Sequence, residues 1–407
     1  LMDSLPLNPN GKLDRGSLPA PADARRLPES ISVAPRDELE MQLAKIWEKV
    51  LGIQPIGVQD NYFDLGGNSL QALRLFTQID RIFGKQLPLS TLLKSGTVEA
   101  LANIIRQPEM PALLQDDAPW SSLVPIQTKG DKPPLFCIHP AGGNILSYRE
   151  LFFHLDPHLP VYALQAKGLD GKQPPHTRVE DIASDYIKEI QTIQPTGPYF
   201  LGGHSFGGIV AYEMAQQLLT QGEKIGLLFV MDTSAPGAER RLPFSQRIHL
   251  HRDKLFQGGH AYLCQKLKGW TKWQTETFNY KLQKTAINFR TRFGLTLPRD
   301  LHSLRMGEAS AQASAAYVMQ AYPGKLTLFL VDDEVRVEGE GFDYDPNLGW
   351  DQLVNSGLDV HYVPGDHNSL LNAPHVQVLA EKLQVCLDRA IAASLPEKIE
   401  IEIIAAS

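Results

Sequence analysis

The stretch YFLGGHSFGGIVAYEMA (Tyr199–Ala215) joins a short apolar run to an apolar helical pattern through Gly203-His204-Ser205-Phe206-Gly207. A serine held on a tight strand-to-helix turn needs glycine two positions to either side, because a side chain there would collide with neighbouring backbone. The G-x-S-x-G pentapeptide informs only in a strand, turn and helix setting, and it has that setting here. Ser205 is therefore a candidate nucleophile. On either side of it the apolar runs LFCIH, VYALQA, IGLLFVMD, LTLFLVD and LDVHYVPG alternate with helical stretches such as SYRELFFHL, IASDYIKEIQTI and VQVLAEKLQVCLDRAIA. That alternation implies a mostly parallel sheet covered by helices on both faces.

A serine hydroxyl is a poor nucleophile at neutral pH, so a histidine must take its proton and an acid must orient that histidine. On this kind of turn the chain order is serine, acid, histidine. His367 in HYVPGDHNSLL lies downstream at the end of the last strand. Two strand ends offer the acid: Asp232 in LLFVMDTSAP, and Asp332 or Asp333 in LFLVDDE; order alone does not choose between them. An oxyanion needs backbone N–H groups, one after the nucleophile and one from the loop after an earlier strand. These fall to Phe206 and to Ala141 in the glycine-rich LFCIHPAGGN.

Upstream the pattern changes. PRDELEMQLAKIWEKVLG places Leu39, Leu43, Ile46, Trp47, Val50 and Leu51 on one helical face, with acids in its first turn and Gly52 at its end. A second helix follows from Ser69, with Leu70, Leu73, Phe76, Ile79, Ile82 and Phe83, and a third from Thr97, so residues 35–106 read as a small all-α bundle. QPEMPALLQDDAPWSSLVP (Gln107–Pro125) has four prolines and no period, and reads as a semi-extended linker able to span roughly 60 Å when stretched. Residues 1–34 read as turns and linker. The 407 residues call for more than one core, and 43% hydrophobic with 21% charged side chains are those of a globular protein. No apolar run is long enough to span a membrane. A formal charge of −7 points away from nucleic acid, and the three cysteines lack metal-ligand spacing, so no metal site is expected. Without a secretory signal, a reducing cytoplasm is the expected location. The chain opens on Leu1, which reads as the continuation of something longer.

Together these motifs resemble the termination module of a non-ribosomal peptide synthetase, over nearly the whole chain. LPLNPNGKLDR is similar to the last motif of an adenylation domain, with Lys12 at the lysine that contacts the acyl-adenylate in that family. With nothing upstream to bind ATP, Lys12 is expected to be inert. DNYFDLGGNSL resembles the peptidyl carrier signature, which implies 4'-phosphopantetheine attached to Ser69; Asn68 stands where the family commonly has His or Asp. A serine at a helix start would present its phosphodiester to backbone N–H groups and the positive helix end. The remainder resembles a type I thioesterase domain, an α/β-hydrolase with a helical lid. The resemblance implies Asp232 as the acid and Ser205, Asp232 and His367 as the catalytic set.

The implied organisation is an adenylation-domain tail and linker (1–34), a carrier domain (35–106), a linker (107–122), a thioesterase domain (123–393) with a lid at about 236–322, and a tail (394–407). Implied partners are upstream synthetase domains or modules, a phosphopantetheinyl transferase and a peptidyl or acyl thioester. The implied activity is release of the carried chain by hydrolysis or macrocyclisation. Rival readings are a proofreading thioesterase that clears misprimed carriers, and a non-catalytic carrier and docking module. Residues 239–299 hold thirteen Lys and Arg against three Asp and Glu, but 35–106 are balanced at eight of each. Whole-domain charge thus gives no support for steering the carrier. A solvated helix face is the plainer reading; the other places Lys266, Lys268 and Lys272 near the phosphopantetheine phosphate. The tail KIEIEII alternates like an edge strand.

Overall fold

The computed structural model describes residues 33–107, 120–235, 238–241, 243–293, 295, 297–332 and 342–394. Lys12, Asp333, most of the linker and the tail from 395 onward lie outside the described residues. The chain divides into two compact units.

The helices of the first unit are α1 (Glu38–Leu51), α2 (Ser69–Phe83) and α4 (Val98–Arg106); a single turn, α3 (Thr91–Lys94), comes between the last two in sequence. Asp37 caps α1 by accepting from Glu40 N, and Gly52 ends it in the left-handed conformation that glycine adopts without a Cβ penalty. Thr97 caps α4 through Ala100 N. Leu43, Ile46 and Trp47 of α1, Ala72, Phe76 and Ile79 of α2, and Leu101 and Ala102 of α4 are buried. Buried Glu40 accepts from Arg36 at 2.8 Å and Arg106 at 2.9 Å, tying the chain before α1 to the end of α4. Those guanidinium bonds, Arg36 first, hold its carboxyl down to about 2. Ile82, expected on the apolar face, is instead exposed. At 100° per residue it sits about 120° round the helix from Phe76, off the buried stripe.

The second unit is built on a seven-stranded sheet: β1 (Leu123–Gln127), β2 (Leu135–Ile138), β3 (Val161–Leu164), β4 (Tyr199–His204), β5 (Ile225–Met231), β7 (Leu326–Val331) and β9 (Leu358–Val363). Their order is β1-β3-β2-β4-β5-β7-β9, and every pairing is parallel except β1 with β3. Helices α6 (Val179–Gln191) and α7 (Phe206–Thr220) cover one face, and α5 (Arg149–His154) and α10 (His375–Ser394) the other. Because both faces are covered, central strands such as β4 and β7 are buried at every position, which is why they read as continuous apolar runs. Edge strand β1 carries Pro125, which disguises it in the sequence.

Between β5 and β7 lie a short strand, β6 (Glu239–Arg241), and the helices α8 (Phe244–Arg292) and α9 (Arg299–Ala316). β6 pairs antiparallel with β8 (Phe342–Tyr344), a three-residue ladder with no apolar alternation to announce it. α8 breaks at Gly259, whose φ of 48° and ψ of −130° glycine adopts without the strain a side chain would add. Among the described residues no helix is long and apolar enough to cross a membrane.

Candidate active site and carrier serine

Strand order reverses beside β2: the chain passes from β2 to β3 on one side, then returns to place β4 on the other. The carboxyl ends of β2 and β4 therefore flank the switch point, where open α/β sheets leave a crevice. Ala141 follows β2, Ser205 follows β4, and both line one cleft of about 400 Å³ together with Phe206, Asp232, Ser310 and His367.

Ser205 takes a φ of 55° and ψ of −124°, a sparsely populated backbone state. Such states cost about 1–3 kcal/mol and persist where the surroundings over-determine them. Here Ser205 N donates to Met231 O at 3.1 Å, and Thr233 Oγ1 donates to Ser205 O at 3.0 Å. The flanking glycines are sterically required. A Cβ on Gly203 would stand 2.4 Å from the Gly207 carbonyl carbon, and one on Gly207 would stand 2.2 Å from Ile138 O. A third, on Gly208, would meet Thr233 Oγ1 at 2.3 Å.

Asp232 leaves β5 with a φ of 46°, its N–H given to Phe329 O at 2.8 Å. Its carboxylate is buried and lies 2.6 Å from His367 Nδ1 through Oδ2. His367 itself is half-buried on the loop after β9. Nδ1 being engaged, Nε2 is the nitrogen left to meet a serine hydroxyl. Asp332, the other sequence candidate within the described residues, is exposed and does not line the cleft. Among the described residues, neither the Ala141 nor the Phe206 N–H is matched to a protein acceptor. The side chains of Lys266, Lys268 and Lys272 lie outside what is described.

Three contributors were not singled out in the sequence. Thr233 has no local signal at all. His204, the x of the motif, is 8% exposed, and its ring lies 4.7 Å from that of His367. Its N–H donates to Tyr148 Oη at 2.7 Å. His139, at the end of β2, is 1% exposed. Burial first, then the neighbouring His367 ring, pulls His204 down to about 4, and burial pulls His139 down to about 4 as well. Both rings are thus neutral in the folded chain at pH values where the unfolded chain would protonate them. The unfolded state binds more protons between pH 6.5 and 4, so stability is full above 6.5 and falls as the pH drops toward 4. Each ring is expected to contribute a slope of up to about 1.4 kcal/mol per pH unit. Denaturant titrations across that range check this, and His204→Gln should remove up to one proton from the slope.

In the first unit Ser69 is the opening residue of α2, not its cap. Asn68 Oδ1 accepts from Gln71 N at 3.0 Å and Gln71 Oε1 accepts from Asn68 N at 3.2 Å, a reciprocal capping box. The N-x-x-Q spacing in NSLQ is the signal that reveals it. Tyr62 Oη donates to Asn68 O at 3.0 Å, and a Cβ on Gly67 would strike the Tyr62 ring at 2.4 Å. The glycine pair thus lets the loop close over Tyr62 and leaves Ser69 partly accessible.

Residues 133–385 match the thioesterase domain family. The chain belongs to that family. Ahead of the thioesterase domain, residues 42–105 match the phosphopantetheine attachment site, the kind of domain that carries 4'-phosphopantetheine on a serine. Ser69, a partly accessible residue at the head of a 15-residue helix, fits such a group.

The chain is 41% identical to the dimodular nonribosomal peptide synthase of Bacillus subtilis (strain 168) over 231 residues, 57% of this chain and 9% of that one. It is 31% identical to the chondramide synthase of Chondromyces crocatus over 398 residues, 95% of this chain and 10% of that one. A solved four domain nonribosomal peptide synthetase, bound to AMP and glycine, aligns with 97% of this chain and 29% of its own at 29% identity and a TM-score of 0.53. The chain therefore spans a tenth or less of the curated relatives named here. The first of the two domains is thus of the phosphopantetheine-carrying kind, and the second is a thioester hydrolase by family.

Proposed function

We propose that this chain releases a peptidyl or acyl chain from its own carrier domain, with Ser205 as nucleophile, His367 as general base and Asp232 as the orienting acid. One observation carries the reading: the 2.6 Å Asp232–His367 bond opens onto the same cleft as the strained Ser205 turn. Phosphopantetheine attached to Ser69 supplies a flexible arm that presents the chain as a thioester. Ser205 Oγ attacks the thioester carbonyl while its proton passes to His367 Nε2. The negative oxygen is received by the N–H groups of Ala141 and Phe206. Collapse expels the thiol, which takes the proton from His367, and leaves an ester on Ser205. Water, or an amine or hydroxyl within the chain, then gives its proton to His367 and attacks that ester; His367 returns the proton to Ser205 Oγ as the bond to Oγ breaks, yielding an acid or a macrocycle.

A carrier joined to the cleft by a linker converts encounter into an intramolecular event at an effective concentration that reaches about the millimolar range. Upstream synthetase domains would deliver the chain, and a phosphopantetheinyl transferase would modify Ser69, in the cytoplasm. We assign 35–106 to the carrier, 123–393 to the thioesterase and α8 and α9 to its lid. The covalent carrier favours terminal release over the clearing of misprimed carriers.

The test is to load the chain with candidate peptidyl groups and identify the released product by mass spectrometry. Ser69→Ala should abolish loading while soluble acyl thioesters are still cleaved. Loading that persists in Ser69→Ala removes the carrier assignment.

A further inference from the structure

The Ala141 N–H lies between two carbonyls, and both are held. The Pro140 carbonyl accepts from Gly143 N at 2.9 Å and lies 2.8 Å from His139 Nδ1. Tyr186 Oη sits 2.7 Å from His139 Nε2, against 3.1 Å from Gln165 O. With Tyr186 donating to Nε2, the imidazole carries its proton on Nδ1 and gives it to Pro140 O, which satisfies the buried ring. The cis peptides precede Pro55, Pro198 and Pro374, so the Pro140–Ala141 bond is trans. In a trans peptide the N–H points opposite to the C=O. Pinning the Pro140 carbonyl to the buried His139 and Tyr186 pair therefore turns the Ala141 N–H the other way, toward the cleft that Ala141 lines.

The second anchor comes from a different part of the fold. Ala141 O accepts from Ser310 Oγ at 3.0 Å, and Ser310 is a buried residue of α9. One turn earlier, Met306 packs on the same loop: a Cβ on Gly143, at φ 79°, would stand 3.0 Å from Met306 Cγ. α9 also lines the cleft with Gly307, Ala311 and Ser314. The same helix thus touches the space a substrate would occupy and the loop that aims an N–H into it.

We propose that Ser310 is a positioning residue that makes the oxyanion hole depend on the seating of α9. With α9 in place both carbonyls flanking the Ala141 N–H are fixed. With α9 withdrawn only the Pro140 side is. A chain that fills the cleft and settles α9 would thereby align the donor, so contacts remote from the scissile bond are expressed in the transition state. This rests on the assignment of Ala141 and Phe206 as donors to the oxyanion at Ser205.

The experiment compares wild type, Ser310→Ala and Ser310→Thr in the full phosphopantetheinylated chain on a soluble acyl thioester. Loss of one hydroxyl-to-carbonyl bond should lower kcat about three- to tenfold in Ser310→Ala, with KM changed less than about twofold. Ser310→Thr, which keeps the hydroxyl, should restore kcat. Affinity for a boronic acid that forms a tetrahedral adduct on Ser205 should fall by the same factor as kcat, with the thermal midpoint unmoved. Wild-type kcat in Ser310→Ala, a loss confined to KM, or an equal loss in Ser310→Thr overturns the proposal. Labelling of wild type with a fluorophosphonate separates the two levels. No label at Ser205 overturns the catalytic assignment and this inference with it, whereas a labelled enzyme with an unaltered Ser310→Ala variant overturns this inference alone.

Discussion

Replacing Ser205 with alanine is expected to slow release by at least about 10⁴-fold, leaving the chain as a thioester on the carrier. The magnitude follows from what Oγ does. In the proposed mechanism it supplies the electrons for the new ester bond and the proton that His367 accepts, and among the described residues no other hydroxyl-bearing residue lining the cleft sits at positive φ. What survives is the polarisation of a carbonyl by the two N–H groups, with water in place of the hydroxyl. Intact-protein mass spectrometry of the loaded chain over time reads the result directly, because unreleased material keeps the mass of carrier plus substrate. Release at a rate near wild type would place the nucleophile elsewhere. The glycines of the motif should behave as its supports: a side chain at Gly207 would have to displace Ile138 O, so Gly207 variants are expected to fail by misfolding of the turn.

The second large effect concerns the acid. Asp232→Asn should lower kcat by about 10³- to 10⁴-fold, because an amide facing His367 Nδ1 no longer fixes the tautomer or offsets the imidazolium that forms during attack. Asp332→Asn should stay within about twofold of wild type, its side chain being exposed and outside the cleft. The paired comparison matters because both aspartates follow a strand of the same sheet, and chain order allows either. A large loss in Asp332→Asn with a small one in Asp232→Asn reverses the assignment. Fluorophosphonate labelling should also slow in Asp232→Asn, since the probe too needs a deprotonated Ser205.

Much of the architecture could be read from the chain because burial on both faces writes its own signature. β4, β5 and β7 are uninterrupted apolar runs, and α6 ahead of β4 buries Val179, Ile182, Ala183, Tyr186, Ile187 and Ile190 at a helical period. What could not be read lacks such a signature. β1 interrupts its pattern with Pro125, and β6 and β8 form a three-residue ladder of largely charged and polar composition. The site divides the same way. The candidates Ser205 and His367 announce themselves by motif and by strand-end position, whereas the choice between Asp232 and Asp332 depends on which carboxylate turns into the cleft. Strand order does not decide it, since β7 and not β5 is the neighbour of β9; the Asp232 carboxylate reaches His367 where the chain leaves β5 at a φ of 46°. Thr233, His139 and Ser310 make their contacts with main-chain atoms of other residues, and a contact of that kind leaves no pattern in the sequence.

The reciprocal bonds between Asn68 and Gln71 bear on the life cycle of the carrier. Since the first turn of α2 is closed by those two side chains, it does not draw on the Ser69 hydroxyl. Esterifying that oxygen removes one O–H donor from the surface and none from the fold. If Ser69 is the attachment point as proposed, unloaded, primed and charged forms of the domain are expected to share the same helix start, so that priming changes the cargo handle and not the scaffold. A partner that must tell the forms apart would then have to read the arm and its burden.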